Sequence, residues 1–212
     1  MRSEARETGF TLIELLIVVA IIAILAMIAV PNFLEAQARA KVAREKAELR
    51  MIDVALEAYC VDNNEYPPWT ERLGTRIHPC SWRYAWLTTP IAYITSVPMD
   101  PFALKREWDE QDSGRPRWDT YDLVTRKAQS DDQWTHGHAW RCTGFGPDYT
   151  NQYGGGRTSW DGITPSAFAQ FPNFVYDPTN GTVSWGDVIR VGHRVPIQDP
   201  SVQYYPFELL PW

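Results

Sequence analysis

The 212-residue sequence predicts an α+β protein in which one long N-terminal helix, half of it within a membrane, packs on a small antiparallel β-sheet head. Three observations predict it. A nearly uncharged aliphatic block occupies residues 10–30, a charge-rich helical pattern follows over 31–64, and all ten Trp residues lie at or after Trp69 in a turn-rich remainder with short strand signals. Apolar content of 44% and charged content of 22% sit near globular averages, which excludes a collagen-like or disordered chain. Lys and Arg total 20 against 26 Asp and Glu, a net charge of −6 that argues against phosphate-dominated nucleic-acid binding.

From Phe10 to Val30 the chain reads FTLIELLIVVAIIAILAMIAV, with Glu14 as its only charge. A helix of this length covers roughly 30 Å, the thickness of a bilayer's hydrocarbon core. A cleaved secretory signal would carry a shorter apolar region, and a soluble fold rarely encloses a helix that is apolar all round. A transmembrane anchor over 10–30 is therefore expected. Glu14 is costly in or near hydrocarbon, by about 2–3 kcal/mol, so it needs a partner or a hydrated position at the helix end.

Gly9-Phe10-Thr11-Leu12-Ile13-Glu14, the span behind it and Pro31 together resemble the processing site and N-terminal helix of type IV prepilins and type II secretion pseudopilins. The resemblance implies a pilin-like fold and a leader over 1–9. It also implies cleavage after Gly9 by a prepilin peptidase, N-methylation of the new Phe10 terminus, and assembly through the helix. The leader MRSEARETG departs from the basic leaders of that family, because Arg2 and Arg6 are balanced by Glu4 and Glu7. In an assembling bundle Glu14 of one chain would meet the Phe10 ammonium of another. Two charges that are each costly alone offset one another only in the correct axial stagger, so Glu14 is expected to key the register.

The helix is expected to continue over 31–64, with Pro31 kinking it or loosening its hydrogen bonding near the bilayer surface. Val42, Leu49, Ile52, Leu56 and Tyr59 recur at steps of seven, three, four and three, a stripe able to pack on a sheet. Charges are expected on the opposite face, with Lys41 and Glu45, and Arg44 and Glu48, at i,i+4 spacing, either solvated or bridging neighbouring subunits. Asn63-Asn64 and Pro67-Pro68 end the helix.

Residues 65–212 read as a loop-rich head, periplasmic by the resemblance. Residues 87–95 give a short helix or turn, and Val97-Pro-Met-Asp-Pro-Phe102 resembles the Pro-x-Asp-Pro-aromatic connector of major, G-type pseudopilins. Strands are expected at 120–125, 140–144, 173–176, 182–184 and 188–191, with Asp177-Pro-Thr-Asn-Gly181 as a turn. The charged stretch 105–118 and the polar stretch 126–138 read as exposed insertions. Three cysteines, Cys60, Cys80 and Cys142, permit one bridge. Sequence proximity favours Cys60 with Cys80, Cys80 with Cys142 would tie a loop to a strand, and three reduced thiols stand as the equal alternative.

No P-loop, H-E-x-x-H or G-x-S-x-G signature is present, so no enzymatic activity is expected. His136-Gly-His138 reads as an exposed polar loop rather than a metal site, and Gly144-Phe-Gly146 as loop glycines. The resemblance implies a calcium ion in a C-terminal loop. Gly146-Pro-Asp148, Gly154-Gly155-Gly156 and Gly186-Asp187-Val188 stand in the family's order of landmarks, which makes Asp148 and Asp187 the candidate ligands. Asp177 is added from the turn chemistry. The expected protein is thus a type II secretion pseudopilus subunit at the inner membrane. Its partners would be copies of itself, minor pseudopilins, the prepilin peptidase and the membrane assembly platform. A type IV pilin for adhesion, motility or DNA uptake is the alternative, and a membrane-tethered binding or enzymatic head, prompted by the Trp content, is the third reading.

Overall fold

The computed structural model describes residues 10–69, 80–103, 120–126, 138–147, 176 and 186–195. Helix α1 (Leu12–Asn63) runs without interruption for 52 residues, about 78 Å at 1.5 Å per residue. Its start is fixed locally. Thr11 adopts an extended conformation and its hydroxyl accepts the Glu14 N–H, while the Glu14 carboxylate accepts the Thr11 N–H at 2.9 Å. This reciprocal capping satisfies two of the N–H groups that a helix N-terminus leaves unpaired. At the other end Asn64 closes the helix in the left-handed region with φ 56°, its N–H donating to the Cys60 carbonyl at 2.8 Å. Pro31 lies inside the helix, which stays α-helical on both sides of it. Up to Leu34 every residue of α1 is exposed, and among the described residues α1 is the one helix long and apolar enough to cross a membrane.

A short 3₁₀ segment (Cys80–Tyr84) leads into α2 (Ala85–Thr88), and the chain then folds back as Tyr93 and Ile94 donate their backbone N–H groups to the Leu87 carbonyl. Among the described residues three strands follow, β1 (Asp122–Thr125), β2 (Trp140–Gly144) and β3 (Val188–Val191), paired antiparallel in chain order. The register sets Asp122 opposite Thr143 and Arg141 opposite Val191. Strands β2 and β3 match their expected ranges. β1 begins later than expected because the residues before it are engaged elsewhere. The Thr120 hydroxyl donates to the Pro98 carbonyl, and the Tyr121 hydroxyl donates to Glu48 of α1. The expected strand at 173–176 is described only at Tyr176, which is not in a strand although its N–H donates to the Asp187 carbonyl at 3.0 Å. The strand at 182–184, the turn at 177–181 and the insertion at 105–118 lie outside the described residues.

The core lies between α1 and the sheet. Val42, Leu49, Ile52, Leu56 and Tyr59 are all buried, as the stripe predicts, and each contributes on the order of 1.5–3 kcal/mol when removed from water. Trp140, Leu123 and Phe145 meet them from the sheet side of the same cluster. The connector is fixed from below the sheet, where the Asp100 carboxylate accepts the Phe102 N–H at 2.7 Å and the Phe145 N–H at 2.9 Å. A carboxylate accepting two buried backbone donors joins the Pro-x-Asp-Pro-Phe segment to the end of β2.

Four sequence expectations change. Glu45 is not on the solvated face; it is buried in the core, and Lys41 instead sits over the Phe102 ring at 5.6 Å. The Arg44–Glu48 pair forms as expected, at 2.8 Å. His138 is buried and not in an exposed loop, with Nδ1 3.0 Å from the Gly192 carbonyl oxygen and its backbone bridged to Arg194, while His136 lies outside the described residues. Gly144 closes β2 and is not a loop glycine; a Cβ there would stand 1.8 Å from the Glu45 carboxylate. None of Cys60, Cys80 and Cys142 forms a disulfide, so the favoured Cys60–Cys80 bridge is not made.

Candidate functional site

Two regions carry polar chemistry of more than local consequence. At the N-terminal tip of α1, Phe10 is exposed and immediately precedes the cap, and the Glu14 carboxylate is held there by the Thr11 N–H and, at 2.7 Å, by the Thr11 hydroxyl. Thr11-x-x-Glu14 is a capping box that the sequence displayed, and it gives Glu14 a local role: the helix dipole favours an anion in the first turn. The same bonds point the carboxylate at the end of the helix where a new terminus at Phe10 would lie. Gly9 is outside the described residues, and Pro31 stands nearly five turns further along the helix.

The second region is the seam between α1 and the sheet, where carboxylates on the helix meet β2, β3 and the residue just ahead of β1. Glu48 accepts from the Tyr121 hydroxyl just ahead of β1. Glu57 accepts from the Trp140 indole of β2 at 2.9 Å and from the Tyr66 hydroxyl at 3.0 Å. Asp53 pairs with Arg190 of β3 through Nε at 2.7 Å and Nη2 at 2.5 Å. Burial and then hydrogen bonding to Glu57 push the Tyr66 hydroxyl well above its usual range, so Tyr66 keeps its proton and donates it to Glu57. In the sheet, buried Asp122 accepts from both Arg83 and Arg141, and Arg83 lies over the Trp69 ring at 5.7 Å.

Glu45 stands apart from these pairs. It is fully buried, and neither carboxylate oxygen makes a hydrogen bond of normal geometry. Burial pushes its carboxyl well above the usual range, with Asp100 and then Asp187 adding repulsion. The Gly146 N–H acts in the opposite direction, and Glu48 adds the least. Asp100 is also raised by burial, against the pull of its backbone donors. Asp187 is the one calcium candidate among the described residues, and it is fully buried beside this group; Asp148 and Asp177 lie outside them. Among the described residues no three His, Cys, Asp or Glu side chains are arranged to hold a metal ion. Burial and the neighbouring carboxylates thus favour the protonated form of Glu45, and the described residues do not themselves form a cation site.

Comparison with known proteins gives two family matches. Residues 5–30 match the prokaryotic N-terminal methylation motif, and residues 32–133 match type II secretion system (T2SS), protein G. Type II secretion system core protein G of Pseudomonas aeruginosa is 32% identical over 104 residues, covering 46% of this chain and 69% of the relative. That of Vibrio cholerae is 32% identical over 108 residues, covering 48% and 70%. The type IV major pilin protein PilA of Myxococcus xanthus is 44% identical over 73 residues, covering 34% of this chain and 33% of the relative. The chain thus spans about a third of the length of that pilin and just over two thirds of the secretion proteins. No solved structure matches the chain.

The buried acid generates a pH prediction with a definite sign. A carboxyl whose folded pKa is raised holds its proton longer in the folded state, so its stabilisation is complete below the unfolded value of about 4.3 and is lost as pH rises through the folded value. Glu45→Gln mimics the protonated acid. Thermal unfolding of the full chain in detergent should show the variant gaining on the unmutated protein as pH rises from 4 to 9. A melting difference that stays constant over that range would place Glu45 in contact with water or a counter-charge.

Proposed function

The chain belongs to the type II secretion system protein G family, and on that premise we propose that it is a structural subunit of a type II secretion pseudopilus. The single observation that carries the reading is the joint match: a methylation motif at the tip of a helix long and apolar enough to cross a membrane, followed directly by a protein G region. In this reading a prepilin peptidase removes residues 1–9, Phe10 receives the methyl group, and 10–30 anchors the chain in the inner membrane with the head outside the cytoplasm. Copies of the chain and minor pseudopilins then add to a filament at a membrane assembly platform. The head works as a packing unit and has no catalytic role. Burial of Trp140 and Trp69 supports this, because those indoles build the core and offer no sugar-stacking platform. The pilin reading draws on the Myxococcus similarity, which covers less of this chain than the protein G matches do. The acidic net charge weighs against DNA uptake.

Processing is tested by mass spectrometry of the native protein, which should begin at methylated Phe10. A mature chain that retains Met1 to Gly9 would overturn the assignment.

Glu14 is proposed as the register key for the incoming Phe10 ammonium. Its capped position supports this, since the carboxylate already faces the end of the helix. Glu14→Leu removes a charge that membrane insertion finds costly, so membrane retention should hold or improve. Assembly should fail, because each docking subunit would leave its ammonium without a counter-charge. Normal inter-subunit crosslinking in the Leu variant would restrict Glu14 to its capping role.

Calcium is proposed to bind through Asp148, Asp177 and Asp187, with the order of the Gly and Asp landmarks as support. Hard carboxylate oxygens suit that ion, which when bound would supply a positive centre tying the C-terminal loop together. Millimolar calcium should raise the melting temperature of the full chain and Asp148→Ala should abolish the rise, because a ligand that binds only the native state stabilises by mass action. Melting that is indifferent to calcium would remove the site.

A further inference from the structure

The carboxylates of α1 are not answered alike. Glu48 has Arg44 beside it and Asp53 has Arg190. Among the described residues Glu57 accepts only from neutral donors, the Trp140 indole and the Tyr66 hydroxyl. A group able to supply the charge it lacks is His193, two residues beyond β3. Its Nδ1 lies 3.4 Å from the Tyr66 hydroxyl oxygen, and the two rings meet with centroids 6.2 Å apart. Backbone bonds fix this place in the fold. The Gly192 N–H donates to the Trp140 carbonyl and the Ala139 N–H to the His193 carbonyl, each at 2.9 Å. A Cβ at Gly192 would stand 2.5 Å from the Trp140 indole nitrogen, so glycine is what lets the segment lie against that ring.

The protons along this path can be counted. Tyr66 has one, keeps it, and gives it to Glu57, whose two oxygens both lie 3.0 Å from the hydroxyl. Towards His193 the same hydroxyl can therefore only accept, and Nδ1 has to donate. An imidazolium always carries that proton, whereas a neutral imidazole does so in only one of its two tautomers. Protonation thus fixes the donor, and it places a positive charge one hydroxyl away from a carboxylate that has no cation.

We propose that His193 is a proton-operated clasp, whose protonation draws the end of β3 onto the far end of α1 through Tyr66 and Glu57. The residue is exposed, so it exchanges protons directly with the surrounding solution. Imidazole is the side chain that ordinarily changes charge between pH 5 and 8. The contact exists only in the folded chain. A proton bound through it stabilises the fold on the acid side, and that stabilisation is lost as pH rises and the imidazole loses its charge. Other titratable and charged groups surround the path. On α1, Asp53 is taken by Arg190 of β3, and the Cys60 thiol adjoins the Tyr66 hydroxyl. Glu65 precedes Tyr66 in the segment after α1. On the β2 side, His138 has Nδ1 3.0 Å from the Gly192 carbonyl oxygen, and its backbone is bridged to Arg194. These groups and the buried Glu45 are common to the unmutated chain and a His193 variant, so their own titration cancels in a comparison of the two.

The test melts the full chain in detergent beside His193→Gln, Glu57→Gln and the double variant, at pH 8 and at pH 5.5, above ordinary carboxylate titration. Gln keeps a hydrogen-bonding side chain at both positions and removes the charge. On acidification the unmutated chain should gain about 2 °C on His193→Gln. That gain should vanish when Glu57→Gln is already present. Tyr66→Phe, which keeps the ring and removes the hydroxyl, should abolish it equally, and it takes the place of Glu57→Gln should that variant melt too low to compare. A gap between the unmutated chain and His193→Gln that is equal at both pH values, or one that still widens in the Glu57→Gln or Tyr66→Phe background, would overturn the clasp and leave His193 a packing residue.

Discussion

Carboxylates that flank the buried stripe of α1 on both edges hold the head in place, and each is answered by a donor from a different part of it. Glu48 takes the Tyr121 hydroxyl, Asp53 takes the Arg190 guanidinium, and Glu57 takes the Trp140 indole together with the Tyr66 hydroxyl. Hydrophobic burial of Leu49, Ile52 and Leu56 supplies the larger share of the attraction, but it is non-directional and would tolerate sliding of the helix along the sheet. The polar contacts are directional. A shift by one helical turn would leave partly buried carboxylates and an indole N–H without partners, at about 1–3 kcal/mol for each. Axial position of the head on the helix is thus set by polar contacts over an apolar base.

Glu45 and Asp100 show how the same surroundings treat two buried acids differently. Asp100 is held by the backbone donors of Phe102 and Phe145 and joins the connector to β2. Glu45, with only the Gly146 N–H acting to favour its charged form, occupies the space that the missing side chain of Gly144 leaves open. The glycine is required by close approach of a side chain, while Gly146, at φ 66°, is required by the backbone conformation itself. The helix cannot turn Glu45 to solvent without withdrawing Val42 and Leu49, its neighbours on the same stripe.

Much of this was legible in the sequence where the signal is local or periodic. The aliphatic span, the Asn63-Asn64 stop, the buried stripe from Val42 to Tyr59 and the strands at 140–144 and 188–191 all follow from length, period or turn chemistry. Glu45 was misplaced because its spacing from Lys41 matches a surface ion pair. The competing signal was present: Val42, Glu45, Leu49, Ile52, Leu56 and Tyr59 advance in steps of three, four, three, four and three, so Glu45 sits in the core period. The Thr11-Glu14 cap was equally visible, and it gives the carboxylate a reason to be present before any neighbour is considered. Burial of His138 and the link from Asp100 to Phe145 had no local signature, since each depends on a partner 45 or more residues away that only the closed sheet brings close.

The exposed Ala-rich face of α1 is the complement of that lesson. Its residues are small, so they weigh little in a search for amphipathic stripes, and the larger residues of the buried face dominate the pattern. Yet a helix that leaves one solvent for another must satisfy both. Within the bilayer the span is stable against lipid on every side. Carboxylate contacts along both edges of the buried stripe fix the second half of α1 to the head, while its opposite face is an exposed, uncharged track of small and apolar residues.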